Sequence, residues 1–327
     1  MEYPKISIVM PVYNEEDKIE SCLHSIRNQN YPQKNIEIVL VDDDSSDRTL
    51  EIAKKFNVKV VRNGKRDYDI GKSLGIKNAS NEYIMFLDAD NILPSINWFK
   101  KMIEPFQNDL NVIGAQPIWF TYNKKDPLVD RYATLFGITD PTTIYFKKRD
   151  RLMLIEKEWN LVKDYEDLGH SFLVTFDSDN LPTIGSVGFT IKKEHLLKTT
   201  YDPTFSHLDC MIDLVKQGYN SFAMVKLDVI HLHAGTVKSF IDKLKRNMKI
   251  YIRDYKKRRY TWKVSPFRFI FGTLAMLTFV VPFYHSVKGY LKIKDNAWFL
   301  HPYVCFRVAW MYVLLTLNWK INSLFKG

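Results

Sequence analysis

The stretch Tyr83-Ile84-Met85-Phe86-Leu87-Asp88-Ala89-Asp90-Asn91 is apolar for five residues and then acidic, with two carboxylates at i and i+2. An apolar run of that length reads as a buried strand, and its acidic end as the point where the strand leaves the core. Reading outward towards the N-terminus, Gly71–Ala79 is a helix and Val58–Val61 a strand. Ser46 or Asp47 is placed to cap a helix running through Phe56. Ile36–Val41 is a strand that runs into Asp42-Asp43-Asp44, Glu15–Asn28 a helix with Ile19, Leu23 and Ile26 on one stripe, and Ile6–Val12 the first strand. Four strand–helix alternations predict an α/β fold with a mostly parallel sheet and helices on both faces. Ligands of such sheets sit at the carboxyl ends of the strands, where both acidic clusters lie.

Each cluster has two readings on its own. Asp88 and Asp90 can hold a divalent cation that also takes diphosphate oxygens, since Mg²⁺ is commonly held by one or two carboxylates plus phosphate; they can equally be a polar strand end. Val41-Asp42-Asp43-Asp44-Ser45-Ser46-Asp47-Arg48-Thr49 can accept hydrogen bonds from a nucleobase and ribose, or simply form a turn and helix cap. Pro11-Val12-Tyr13-Asn14-Glu15-Glu16 can line a flat base pocket, or serve only as a strand-to-helix turn.

Together, ISIVMPVYNEE (6–16), VDDDSSDRT (41–49) and YIMFLDADN (83–91), with Gly71-Lys72-Ser73 through Asn78-Ala79 before the last, resemble the family 2 glycosyltransferases of the GT-A, Rossmann-like fold. The resemblance covers roughly residues 5–235. It implies a nucleotide-sugar donor, Mg²⁺ or Mn²⁺, and inversion at the anomeric carbon by direct displacement. By position, Pro11, Tyr13 and Glu15 would shape the nucleoside pocket and Asp42 would contact the base, with Asp44 and Lys72 in the same donor site. Asp88 would bind ribose or support the metal, and Asp90 would bind metal and diphosphate.

The acceptor side is less regular. Residues 116–184 mix aromatic and charged residues without a clear period and read as a partly helical insertion. Leu181-Pro182-Thr183-Ile184-Gly185-Ser186-Val187-Gly188-Phe189 resembles the family's glycine-bearing acceptor loop, where Gly185 and Gly188 would allow close approach to a sugar. A hydroxyl acceptor needs a carboxylate base within hydrogen-bond reach. The family's acidic pair, counted back from Gly218-Tyr219, falls on His207-Leu208-Asp209, a departure that puts His207 where Asp is usual. Asp209 is the expected base and His207 its orienting partner, or a phosphate contact; the plainer alternative is that Asp209 only begins a helix. His231-Leu232-His233 closes the last core strand, and one or both histidines could reach the metal or diphosphate.

Composition is uneven along the chain. The net charge is +10, and ten Lys and Arg between Lys243 and Lys263 face a lone Asp254. Beside an apolar tail, such a segment fits anionic lipid; a solvated helix face is the alternative, and nucleic acid is not expected because no reading element accompanies it. The tail holds Phe267–Tyr284, interrupted by Pro282, and Trp298–Trp319, interrupted by Arg307. Both are borderline for a span of about 20 apolar residues, and the lysines between them (Lys288, Lys292, Lys294) would lie outside in a simple hairpin. Two spans, helices confined to one leaflet, and buried helices of a soluble protein all remain open.

The expected organisation is a catalytic domain over 1–235, a basic helical linker over 236–264 and a membrane-associated region over 265–327. Cys22, Cys210 and Cys305 form no pattern, which suits a reducing compartment. No leader precedes the first strand, so the catalytic domain is expected at the cytoplasmic face of the cell membrane. The functional expectation is sugar transfer to a lipid-linked acceptor hydroxyl. The competing readings are a polyprenyl-phosphate sugar synthase and an inactive nucleotide-sugar-binding membrane protein.

Overall fold

The structure is a computed structural model that describes residues 3–232 and 235–324. It divides into two compact units, Met1–Thr121 with Val162–His231, and Tyr122–Leu161 with Leu232–Gly327.

The first unit begins with β1 (Ile6–Val12), α1 (Ile19–Arg27), β2 (Ile36–Asp42), α2 (Thr49–Ala53), β3 (Lys59–Arg62), α3 (Tyr68–Asn78), β4 (Tyr83–Phe86), β5 (Asn91–Ile92), α4 (Trp98–Asn108) and β6 (Gly114–Phe120). Residues 122–161, which carry α5 (Leu128–Phe136) and α6 (Thr142–Tyr145), belong to the second unit. The first unit resumes with β7 (Tyr165–Asp167), β8 (Ser171–Thr175), β9 (Thr190–Lys192), α7 (Lys193–Leu196), α8 (His207–Lys216) and β10 (Ser221–His231). The irregular 116–184 region thus supplies a central strand and an edge hairpin to one unit and two helices to the other.

One sheet runs in the order β3-β2-β1-β4-β9-β6-β10-β8-β7, with β5 paired to β10. The β3-β2-β1-β4 half is parallel. Beyond it the sheet is mixed: β9 is antiparallel to both neighbours, and β6 and β10 are parallel. Alternation along β1 assigns its two faces. Ile6, Ile8, Met10 and Val12 join Ile19, Cys22, Leu23 and Ile26 of α1 in the main core. Val9 points to the other face, where α3 lies so close that a Cβ on Gly75 would stand 2.3 Å from Val9 Cγ1. Gly71, one turn earlier, lies against Pro11 and Asn63. Glycine at i and i+4 therefore brings α3, and the Lys72 between them, down onto the ends of β1 and β2.

The second unit is helical, with α5, α6, α9 (Val237–Asp254), α10 (Pro266–Leu277), α11 (Val280–Lys292) and α12 (His301–Leu324). Phe240, Ile241 and Leu244 of α9 pack with Val129, Tyr132, Phe136, Trp298, Val304 and Val308, leaving the basic residues of α9 on its outer side. His301 is fully buried between two hydroxyls, with Tyr132 Oη 3.0 Å from Nδ1 and Tyr145 Oη 3.1 Å from Nε2. The break in the first apolar tail stretch is not at Pro282. It falls at Phe279, whose φ is +64°, and the helices on either side are bent by 71°. Pro282 sits in the first turn of α11, where its missing N–H costs nothing. Nor does Arg307 interrupt α12, since its guanidinium reaches out to Tyr303 Oη at 2.8 Å.

Candidate active site

The carboxyl ends of β1 and β2 are braced to each other. Asn14, at φ +53°, receives the Ser46 N–H on its side-chain oxygen at 2.8 Å and donates its own N–H to Ser45 Oγ at 3.1 Å. The Glu15 N–H reaches Thr49 Oγ1 at 2.8 Å, and the Glu16 N–H reaches Asp47 Oδ2 at 3.1 Å. Pro11 is buried in this brace, and Tyr13 projects from it, 44% exposed, with the Arg66 guanidinium 5.3 Å from its ring centre. An exposed aromatic edge at a strand end is a surface on which a base can stack.

The three aspartates of the acidic loop have different partners. Asp42 is buried and accepts the Ser45 N–H at 3.2 and 3.3 Å. Asp43 accepts from Asn63, and burial raises its carboxyl above the usual range against the pull of that bond. Asp44, at φ +61°, is ion-paired to the exposed Arg62 at 2.7 Å. The turn geometry thus engages Asp42, while Asp44 sits at the outer rim. Glu15 is half-buried; burial raises its pKa, opposed by an ion pair with Lys18 at 2.9 Å.

The acidic pair after β4 is held differently at each carboxylate. Asp88 accepts from Tyr68 Oη at 2.6 Å, and its N–H is taken by Asn91 Oδ1 at 3.0 Å. Asn91 Nδ2 donates to Asp90 Oδ1 at 2.8 Å, and Asp90 Oδ2 lies 3.4 Å from His231 Nε2. Strand pairing explains this convergence, because Asn91 of β5 is the ladder partner of His231 in β10. Lys72, 1% exposed, completes the group with its ammonium 4.4 Å from the Tyr68 ring centre and 5.3 Å from that of Phe86. Burial lowers its pKa, and Asp88, Asp69 and Asp90 oppose that shift.

Among the described residues, no three His, Cys, Asp or Glu side chains converge closely enough to hold a metal by themselves. Two donors on one octahedral ion at about 2.1 Å sit roughly 3 Å apart, close to the Asp90–His231 spacing of 3.4 Å. This donor set fits a hard cation that takes its remaining ligands from a diphosphate and water. His233 lies outside the described residues.

Gly185 and His207 meet. Gly185 has φ +114°, and a Cβ there would stand 3.0 Å from His207 Cβ. Gln116 Oε1 takes the Gly185 N–H at 3.1 Å and fixes the loop. Asp209, 4% exposed, is in the first turn of α8, which Ser206 caps by accepting the Asp209 N–H at 3.5 Å. Gly188 serves packing instead. At its φ of +83°, a Cβ would meet Pro117 and Trp98 at 3.2 Å. Phe205 ties α8 to α3 and β4, with its N–H on Asp69 O at 2.9 Å and its ring stacked 4.7 Å from Phe86. The sequence alone does not single out Tyr68, Asn91, Asn63 or Gln116. Only Asn91 has a local signal, as the residue that follows the acidic pair.

The profile of the family described as "Glycosyl transferase family 2" matches residues 7–163, which include β1 to β6 and both acidic clusters. The match covers just under half of the chain, and over that segment the chain is similar to this family. Glycosyltransferase AglE of Haloferax volcanii is 28% identical over 136 residues, 39% of this chain and 44% of that protein. A dolichyl N-acetyl-α-D-glucosaminyl phosphate 3-β-D-2,3-diacetamido-2,3-dideoxy-β-D-glucuronosyltransferase of Methanococcus voltae is 36% identical over 109 residues, 31% and 34% of the two chains. The matches thus span less than half the length of these relatives. In structure, the mannosyltransferase PcManGT of Pyrobaculum calidifontis, solved with GDP-Man and Mn²⁺, aligns with a TM-score of 0.52 and 14% identity over 96% of this chain and 88% of that one. The shared architecture is the GT-A fold.

Proposed function

We propose that this protein is a membrane-associated, inverting glycosyltransferase that moves a sugar from a nucleotide-sugar to the hydroxyl of a lipid-linked acceptor. The observation that carries the reading is the convergence of Asp88, Asp90, His231 and Lys72 at the strand ends, with the Asp209 helix tied to the same strand end through Phe205.

In this reading the base of the donor stacks at Tyr13, against the wall made by Pro11, and the Asp42–Asp44 loop flanks it. Asp90 and His231, with Asp88 beside them, are the residues that would hold Mg²⁺ or Mn²⁺. When bound, the ion offsets the charge that develops on the departing nucleoside diphosphate. The buried Lys72 ammonium adds fixed positive charge there. Asp209 accepts the proton of the acceptor hydroxyl as its oxygen bonds to the anomeric carbon from the face opposite the diphosphate. The bond from that carbon to the diphosphate breaks with its electron pair, and the configuration inverts. Gly185 leaves His207 room to stand beside the acceptor loop.

The membrane part of the reading is supported by the second unit. Asn296–Asn322 is long and apolar enough to cross a bilayer, and the basic outer side of α9 suits anionic lipid. The Methanococcus relative acts, by its name, on a dolichyl-linked sugar. The proposed location is the cell membrane with the catalytic domain at the cytoplasmic face.

The test is transfer of label from a panel of nucleotide-sugars into the organic-extractable fraction of membranes that contain the protein, with and without Mn²⁺ or Mg²⁺. Metal-dependent label in that fraction supports the reading and identifies the donor. Folded protein that transfers nothing from any donor overturns it in favour of a binding-only protein.

A further inference from the structure

We infer that α10 and α11 form a re-entrant wedge that enters and leaves a single leaflet of an anionic bilayer, so that Lys257 and Lys294 lie on the same side of the membrane. This topology rests on the membrane association proposed for the second unit.

Along α11 the residues buried in the protein are Pro282, Ser286 and Gly289, small or polar, and Ser286 Oγ donates to Trp298 O at 2.7 Å. Gly289 is so close to Trp298 that a Cβ would stand 2.4 Å from its ring. The other side of α11 exposes Val280, Phe283, Tyr284 and Leu291, at 71, 54, 63 and 67%. In α10 the buried residues are Gly272 and Met276, while Phe267, Phe269, Ile270 and Phe271 stand 54–70% exposed. Apart from Met276 the buried residues are small or polar and the exposed ones large and apolar, which inverts the pattern of a water-soluble helix and matches helices whose solvent is hydrocarbon.

Between Arg268 and Lys288 the chain carries no Asp, Glu, Lys or Arg. At about 1.5 Å per helical residue, and with the 71° bend at Phe279, the ends of that run lie only about 24 Å apart. The hydrocarbon core is about 30 Å thick. Crossing would take Lys288 and Lys292 into the far half of the core, whereas a wedge returns them to the headgroups they left.

Basic residues flank the wedge at both ends: Lys257 and Lys263 lead into α10, and Lys288, Lys292 and Lys294 follow the bend. Placing both groups against one leaflet lets both meet anionic headgroups. It also removes the conflict with the positive-inside tendency that a spanning hairpin creates. A second copy of the chain offers the same positive charge, so this flanking pattern favours lipid over self-association.

The experiment uses the full chain in cells, with Lys257→Cys or Lys294→Cys introduced singly. The native Cys22, Cys210 and Cys305 are all buried, and the unmodified chain controls for their labelling. A membrane-impermeant maleimide is applied to sealed vesicles of each orientation. The expected result is that both positions label in one orientation and are both protected in the other. Labelling at opposite faces shows a span and overturns the wedge. Release of the chain by alkaline carbonate, or a soluble oligomer formed without lipid, overturns insertion altogether. Transfer activity is read on the same preparations. Same-side labelling without transfer keeps the wedge and removes the enzymatic reading, whereas opposite-side labelling with transfer does the reverse.

Discussion

Asp209→Asn separates catalysis from folding because the two effects differ in size. Asp209 is the third residue of α8, and Ser206 rather than Asp209 supplies the cap. Asn has the same shape, so no cavity opens at this buried position. At the helix terminus the fold loses a negative charge that interacts with the helix dipole, worth up to about 2 kcal/mol at a buried position. What the reaction loses is a general base, typically 10²–10⁴-fold in rate, or about 3–5 kcal/mol of barrier at 1.36 kcal/mol per decade. The melting temperature should therefore fall only modestly and nucleotide affinity stay near the parent value while turnover at saturating donor falls at least a hundredfold. The assay pairs single-turnover transfer with calorimetric titration of nucleotide. Turnover within threefold of the parent refutes the assignment. It leaves Asp209 as a helix-terminus charge and points to a phosphate acceptor, which is already ionised near neutral pH and needs no base.

Other perturbations test the remaining contacts. Gly75→Ala places a methyl 2.3 Å from Val9 Cγ1 and should cost roughly 1–3 kcal/mol as overpacking, read by chemical denaturation; an unchanged midpoint would show that α3 can lift from β1 freely. His231→Ala should weaken metal-dependent donor binding while leaving metal-independent nucleotide binding intact, because it removes the partner of Asp90 but touches neither the β1 nor the β2 loop. Gly185→Ala should lower transfer, because a methyl would stand 3.0 Å from His207 Cβ on a backbone at φ +114°; transfer at the parent rate would show that the loop yields without cost. Burial lowers the pKa of His195 in α7, so the unfolded chain binds the proton more readily. Its contribution to stability should be complete above about pH 6.5 and be lost as pH falls through the lower folded-state value. His195→Gln should flatten that slope in denaturation curves taken across pH.

The residues proposed to bind the donor are readable from sequence because they are local to strand ends. Ile6–Val12 is β1 to the residue, and each acidic cluster follows a short, largely apolar run that reads as a buried strand. In the same way, the chemistry of Asp42–Asp44 and Asp88–Asp90 can be named before their partners are known. The partners themselves depend on pairings between distant segments. Tyr68 reaches Asp88 because Gly71 and Gly75 seat α3 on the sheet, and a glycine in a helix pattern ordinarily signals weakness rather than contact. His231 reaches Asp90 because a two-residue strand, Asn91–Ile92, pairs with the end of β10 across 140 residues of chain. A strand that short leaves no period to detect. The same limit hides the difference between the two acceptor-loop glycines, because Gly185 lies against His207 and Gly188 against Trp98 and Pro117, and nothing near either residue in sequence distinguishes the two environments. The tail misleads at Pro282 for a related reason. Proline breaks a helix from within but starts one without penalty, and which role it plays is set by the reversal at Phe279, a residue whose type gives no warning of φ +64°. Reading a site of this kind from sequence therefore stops where strand register and helix seating begin, and in this chain those two features place His231, Tyr68 and His207 beside the residues that the motifs had already marked.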